Sequence, residues 1–255
     1  MRNFTLIFAA LLFTTNSYSE IITVKKDGTG NFTSIQEAYQ AASSNDTILV
    51  YPGKYYENLL ININKKNITI ASLNLISRDE SYIYNTIIDG NRSGSTVLMW
   101  AVPQSNIVIH GFTIQNGSGH GNQRRGGGFF IFDAKTSIVN CIIENNNCTI
   151  GGGIHVYSSN LNLSGTTIRN NIAFGHGGGL AMSEYSKINF DTVNKCNIYL
   201  NHAIMGSDIM KTYLVIPQEI ILDTFTVAKP DSYFILSADK MGNPVNDLSV
   251  KISHG

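Results

Sequence analysis

Gly126-Gly127-Gly128-Phe129-Phe130-Ile131-Phe132, Gly151-Gly152-Gly153-Ile154-His155-Val156-Tyr157 and Gly177-Gly178-Gly179-Leu180-Ala181-Met182-Ser183 are three versions of one phrase, set 25 and 26 residues apart. Each opens on a glycine triplet and continues in an alternating segment. A second alternating segment follows, as in Asn160-Leu161-Asn162-Leu163 and Lys187-Ile188-Asn189-Phe190. A third ends near an asparagine, at Asn116, Asn145, Asn170 and Asn201. A looser copy precedes the three at Gly94-Ser95-Thr96-Val97, and a degenerate one follows at Gly206-Ser207-Asp208-Ile209.

Three short strands per period of about 25 residues predict an all-β, right-handed parallel β-helix, a solenoid with three strands per coil. Each strand stacks on its counterpart one coil along, about 4.8 Å away. Period-2 alternation sends one set of side chains into a shared core and the other outward. Glycine at a recurring corner allows a backbone approach that a Cβ would block. Asparagine at a recurring turn tolerates the left-handed conformation, and stacked amides can bond from coil to coil.

The ends frame this array. Arg2, the apolar run Phe4 to Phe13 and Ser17-Tyr18-Ser19 read as a secretory signal over 1–19, too short to span a bilayer. A secreted or cell-surface location follows. Residues 20–80 are expected to hold the cap and first coil. Thr33 with Gln36 and Ser34 with Glu37 form overlapping capping boxes, which open a short capping helix to about Ala42. Repeats are expected over 81–212. Residues 213–255 read as terminal strands, a truncated end or the start of a further module.

Net charge is zero and 14% of residues are charged. That argues against nucleic acid as partner, and no apolar run is long enough for a membrane span. A monomer, or part of a longer chain, is expected. Cys141, Cys148 and Cys196 make no disulfide framework, and Cys141 and Cys196 fall two coils apart with Thr166 between them.

The stretch Asp27-Gly28-Thr29-Gly30-Asn31-Phe32-Thr33-Ser34-Ile35-Gln36-Glu37-Ala38, continued by Asp46-Thr47-Ile48 and Tyr51-Pro52-Gly53-Lys54-Tyr55, resembles the opening of pectinesterases and other pectin-lyase-fold proteins. The repeats from Gly94 to Asp208 resemble the right-handed β-helix repeats of bacterial exported and surface proteins. Pectinesterase resemblance implies paired aspartates, one in an Asp-Phe-Ile-Phe-Gly stretch; here Phe129-Phe130-Ile131-Phe132-Asp133 puts Phe129 at the aspartate's place. Polygalacturonase-like hydrolases carry Gly-His-Gly, found twice here, around His120 and His176, but without the aspartate motifs that should accompany it.

Pectate-lyase chemistry needs calcium held by several acids beside an Arg or Lys. Aligning coils on their triplets puts Asp133 and Glu184 in one column as candidate metal ligands. Two coils separate them, about 9.6 Å, too far to share a calcium without other ligands. No cofactor is expected, apart from calcium if the chain is a lyase, where Arg124, Arg125 or His120 would be the candidate catalytic base.

The outward column of the first strand carries Trp100, Phe130, Phe132, His155 and Tyr157. The turn between Asn116 and Gly126 is nine residues against five between Asn145 and Gly151, and it brings His120, Arg124 and Arg125 to the same edge. Stacked aromatics rimmed by arginines suit a polysaccharide or cell-surface glycan, with the guanidinium suited to a carboxylate. The expected function is therefore a non-catalytic, exported, polysaccharide- or surface-binding module. A pectate-lyase-like enzyme acting on uronate glycans and a structural spacer are the alternatives. The absent esterase and polygalacturonase motifs lean against an enzyme.

Overall fold

A computed structural model describes residues 19–63, 65–183 and 185–211. The expected signal and the expected terminal strands lie outside the described residues. Among the described residues, no helix is long and apolar enough to cross a membrane.

The chain is a right-handed parallel β-helix. Strand Val97–His110 pairs in parallel with Phe129–Val139, which pairs with Ile154–Tyr157 and Asn160–Ser164, and the series continues through Leu180–Met182 to Ile209–Lys211. Register follows the glycine phrases: Val97, Phe129, Ile154, Leu180 and Ile209 are successive partners. The first and second alternating segments share this one sheet, since Phe129–Val139 runs through both without a break.

A second sheet stacks the third segments, with Ile88, Ile114, Ile143, Ile168 and Ile198 in one buried column. A third sheet pairs Asn147–Ile150, Ile172–His176 and His202–Met205 just ahead of the glycines. The central coils thus hold four strand segments where three were expected. Cys148, Ala173 and Ala203 line the inner side of this extra sheet, and their small size gave it no apolar alternation to read.

The core is the inward half of every segment. Phe129, Ile131, Ile154, Val156, Leu161, Leu163 and Leu180 belong to it, whereas Phe130 and His155 do not. Each such buried aliphatic side chain contributes about 1.5–3 kcal/mol relative to exposure. All three cysteines are free and buried, as core thiols.

The expected asparagine turns divide into two roles. Asn116, Asn145 and Asn170 take the left-handed conformation, with φ of 58°, 57° and 54°. The residues after them form a buried ladder, in which Asn146 Nδ2 donates to Asn171 Oδ1 at 3.0 Å and Asn171 Nδ2 to Asn201 Oδ1 at 3.0 Å. In the last coil Leu200 is the left-handed residue and Asn201 the ladder member.

Helix Ile35–Ala41 caps the N-terminal end. Ser34 is its N-cap, its hydroxyl accepting from Glu37 N at 3.3 Å. The Thr33–Gln36 box is not formed; Gln36 instead bridges strand Leu59–Ile61, accepting from Leu60 N at 2.7 Å and donating to Leu60 O at 3.2 Å. Glu57 completes the cap from the next coil, accepting from Ile35 N at 3.1 Å and Gln36 N at 2.9 Å. A carboxylate on two free helix N–H groups is a charge-assisted cap. Glu57→Ala should therefore cost about 1–2 kcal/mol, read as a lower urea midpoint at unchanged slope. An unmoved midpoint would assign the cap to Ser34 alone.

Candidate functional site

The first segments of successive coils present two outward columns. One, next to the glycine corner, runs Leu98, Phe130, His155, Ala181 and Met210. The other runs Trp100, Phe132 and Tyr157, with Ser183 next in line after Met182. The predicted register is therefore the observed one.

The two columns differ in cover. Gly126 and Gly151 have positive φ and fold the incoming chain against the first column: an added Cβ at Gly126 would lie 2.6 Å from Phe130 Cα, and one at Gly151 2.7 Å from His155 Cβ. Phe130 is accordingly 4% exposed and His155 1%. The second column stays open, with Trp100 40% exposed. Its rings stack: Trp100 on Phe132 at 4.4 Å between centroids, Phe132 on Tyr157 at 5.5 Å. Phe130 and His155 stack beside them at 5.4 Å.

The long turn folds as a hairpin in which His120 N donates to Arg125 O at 2.8 Å and Arg125 N to His120 O at 3.0 Å. It places His120 5.8 Å from Trp100 and 6.0 Å from Phe130, as a flank to the rings. Arg125 reaches over Tyr157, 5.5 Å from the ring centroid, and its buried Nε has no hydrogen-bond partner among the described residues.

Arg124 departs from expectation. Alternation along the hairpin turns it to the other side, where it donates to Ser118 O at 3.0 Å and to Asn147 Oδ1 at 3.1 Å and lies over Phe174. It does not join the ring face. A shallow polar cavity of about 440 Å³ lies on that side, bordered by Asn147, Asn116, Asn145 and Arg92.

Sequence reasoning missed one contact. His155 Nε2 lies 2.8 Å from Ser183 Oγ, while its Nδ1 is buried with no partner among the described residues. Burial first, and the Arg125 cation second, push His155 down to about 3, so the ring is neutral. Ser183 was legible only as the tail of the outward column, because the contact crosses one coil on a diagonal.

Asp133 sits in a left-handed corner, φ 46°, with Ser158, φ 48°, in the corresponding corner of the next coil. Glu184 lies outside the described residues. Among the described residues, no group of three His, Cys, Asp or Glu side chains could hold a metal ion. Phe129, at the place where the resemblance asks for an aspartate, is fully buried in the core.

No protein-family model matches the chain. Among curated proteins it is similar to probable pectinesterase/pectinesterase inhibitor 6 of Arabidopsis thaliana, 32% identical over 110 residues, which is 38% of this chain and 18% of that protein. Probable pectinesterase/pectinesterase inhibitor 17 of the same plant is 34% identical over 109 residues, 40% of this chain and 19% of that protein. The chain thus spans about a fifth of the length of the curated relatives it matches. Among solved structures, the pectin methylesterase from carrot aligns with a TM-score of 0.41 and 16% identity, over 72% of this chain and 69% of that one. The pectin methylesterase from Aspergillus niger aligns at 0.37 and 16%, over 77% and 76%.

The pectinesterase relatives correct the expected function. The expectation of a non-catalytic binding module rests on the aromatic face and on the missing esterase and polygalacturonase motifs, with a uronate lyase and a spacer as its alternatives. The sequence likeness, however, falls on proteins named as probable pectinesterase/pectinesterase inhibitors.

Proposed function

We propose that this chain is a carbohydrate ester hydrolase acting on a uronate polysaccharide of the pectin type, which lies along the outer ring face. The observation that carries this reading is the open stack of Trp100, Phe132 and Tyr157 ending beneath the Arg125 guanidinium. Flat apolar rings suit sugar faces, and a guanidinium at their edge suits the carboxylate of a uronate. Likeness to probable pectinesterases supports ester chemistry, and the signal-like residues 1–19 support export to where such polymers lie. His120 borders the platform at its Trp100 end.

The test is release of methanol or acetate from esterified pectins by the purified chain. Wild type should release product. Trp100→Ala with Tyr157→Ala should raise KM about tenfold to a hundredfold, since each ring contact contributes on the order of 1 kcal/mol and a factor of ten corresponds to about 1.4. Arg125→Met should raise KM on acidic pectin and leave neutral acetylated glycans unaffected. No product from any esterified glycan overturns the proposal.

A further inference from the structure

Resting on the ester-hydrolase reading, we propose that Ser183 is the nucleophile of this face and His155 the base that activates it. Their side chains meet at 2.8 Å, within the reach expected of a nucleophile and its base. Both stand on the outward columns, at the point where the rings give way to smaller side chains: Ala181 follows His155 in one column, and Ser183 follows Tyr157 in the other. A glycan lying along Trp100, Phe132 and Tyr157 would bring its next ester to Ser183. The serine is half-buried and reachable, whereas the histidine is buried beneath the turn at Gly151.

Packing does not call for this histidine. Its column is filled by Leu98, Phe130 and Ala181 in neighbouring coils. A buried imidazole with Nδ1 unpartnered is costly by comparison with another apolar side chain. The aspartate that the pectinesterase resemblance places in the Asp-Phe-Ile-Phe-Gly stretch supplies no competing nucleophile, because Phe129 stands there, buried in the core.

The chemistry needs water and no cofactor. With the proton on Nδ1, Nε2 accepts from Ser183 Oγ as Oγ bonds to the ester carbonyl carbon. The tetrahedral centre collapses, the ester C–O bond breaks, and the departing alcohol takes the proton from Nε2. Water then attacks the acyl-serine, giving its proton to Nε2. That proton returns to Oγ as the acid leaves. The neutral ring is the form that can accept a proton; burial first, and the Arg125 cation second, oppose imidazolium formation, and a uronate carboxylate beside Arg125 would offset the second of these.

Two readouts test the pair apart from the function. The intact chain is treated with a fluorophosphonate probe and the modified peptide mapped by mass spectrometry, while ester release is measured in parallel. Label is expected at Ser183, reduced at least about tenfold in His155→Gln. Ser183→Ala should lose the label and at least about a thousandfold in kcat, with retardation on pectin gels and far-UV dichroism unchanged. If wild type hydrolyses pectin esters and Ser183→Ala keeps its kcat, the pair is refuted and the ester-hydrolase reading survives. If wild type releases nothing yet Ser183 takes the label in a His155-dependent way, the pair stands as a nucleophile and base and the pectin reading falls. Absence of both label and release sinks both.

Discussion

Asn171→Leu should lower the thermal midpoint by about 8 °C or more. Asn171 is fully buried. Its Nδ2 shares two N–H groups among Ile143 O at 2.8 Å, Arg169 O at 2.9 Å and Asn201 Oδ1 at 3.0 Å. Its Oδ1 accepts from Asn146 N at 3.1 Å and Asn146 Nδ2 at 3.0 Å. Leucine removes donor and acceptor together and leaves polar groups of two neighbouring coils facing an apolar side chain. Each buried group so orphaned costs about 1–3 kcal/mol, so the change should reach about 4 kcal/mol or more. For a chain of this size, each kilocalorie lowers the midpoint by about 2–4 °C.

The control is Asn162→Leu, in an exposed ladder where Asn189 Nδ2 donates to Asn162 Oδ1 at 2.8 Å and Asn162 Nδ2 to Ser137 Oγ at 3.2 Å. Water replaces those bonds, and the expected change is within about 0.5 kcal/mol. Equal melting of the two variants would mean that the inner ladder is no stronger than the outer one.

What could be read from sequence was what successive coils force on each other. A Cβ at Gly127 would lie 2.3 Å from Gly152 O, and one at Gly152 2.3 Å from Gly178 O. The backbones touch at this corner on every turn, so the triplets recur and their spacing gives the period. Inward and outward alternation was equally visible, as the contrast of Phe129 and Phe130 shows. The ladder was placed one residue early. The pairs Asn145-Asn146 and Asn170-Asn171 were the signal that two roles sit side by side.

Features that join different coils at the surface were not legible. The cover over Phe130 and His155 comes from the chain folding back at Gly126 and Gly151, and outward alternation alone does not reveal it. Arg124 and Arg125 are neighbours in sequence with opposite destinations, which only the hairpin pairing settles. Glu57 caps a helix that begins 22 residues earlier, and His155 finds Ser183 28 residues on. Such contacts leave no local pattern. The candidate active pair belongs to this class, whereas the aromatic platform belongs to the class that repeats.

The buried histidine also predicts an acid-sensitive fold. His155 is pushed down to about 3 in the native chain, by burial and then by Arg125, against about 6.5 when unfolded. Between those values the unfolded state binds a proton that the folded state refuses, so stability falls as pH falls through the window. The loss approaches about 1.4 kcal/mol per pH unit, several kilocalories by its lower end. His110, also lowered by burial and then by Arg78, adds a loss of the same sign. Asp89 acts lower down: burial opposes its charge, but Lys54 at 2.7 Å with Gln115, Asn91 and Asn116 holds it below the usual aspartate range. Its contribution is lost only below about pH 4, which leaves pH 6 to 4 to the histidines. His155→Phe continues the stack on Phe130 and removes the titration. Urea midpoints at half-unit pH steps should show wild type weakening steadily from pH 6 to pH 4, and His155→Phe holding nearly level apart from the His110 share. Parallel curves for the two proteins would mean that His155 accepts a proton in the folded chain, and with it that the ring is better solvated than its burial implies.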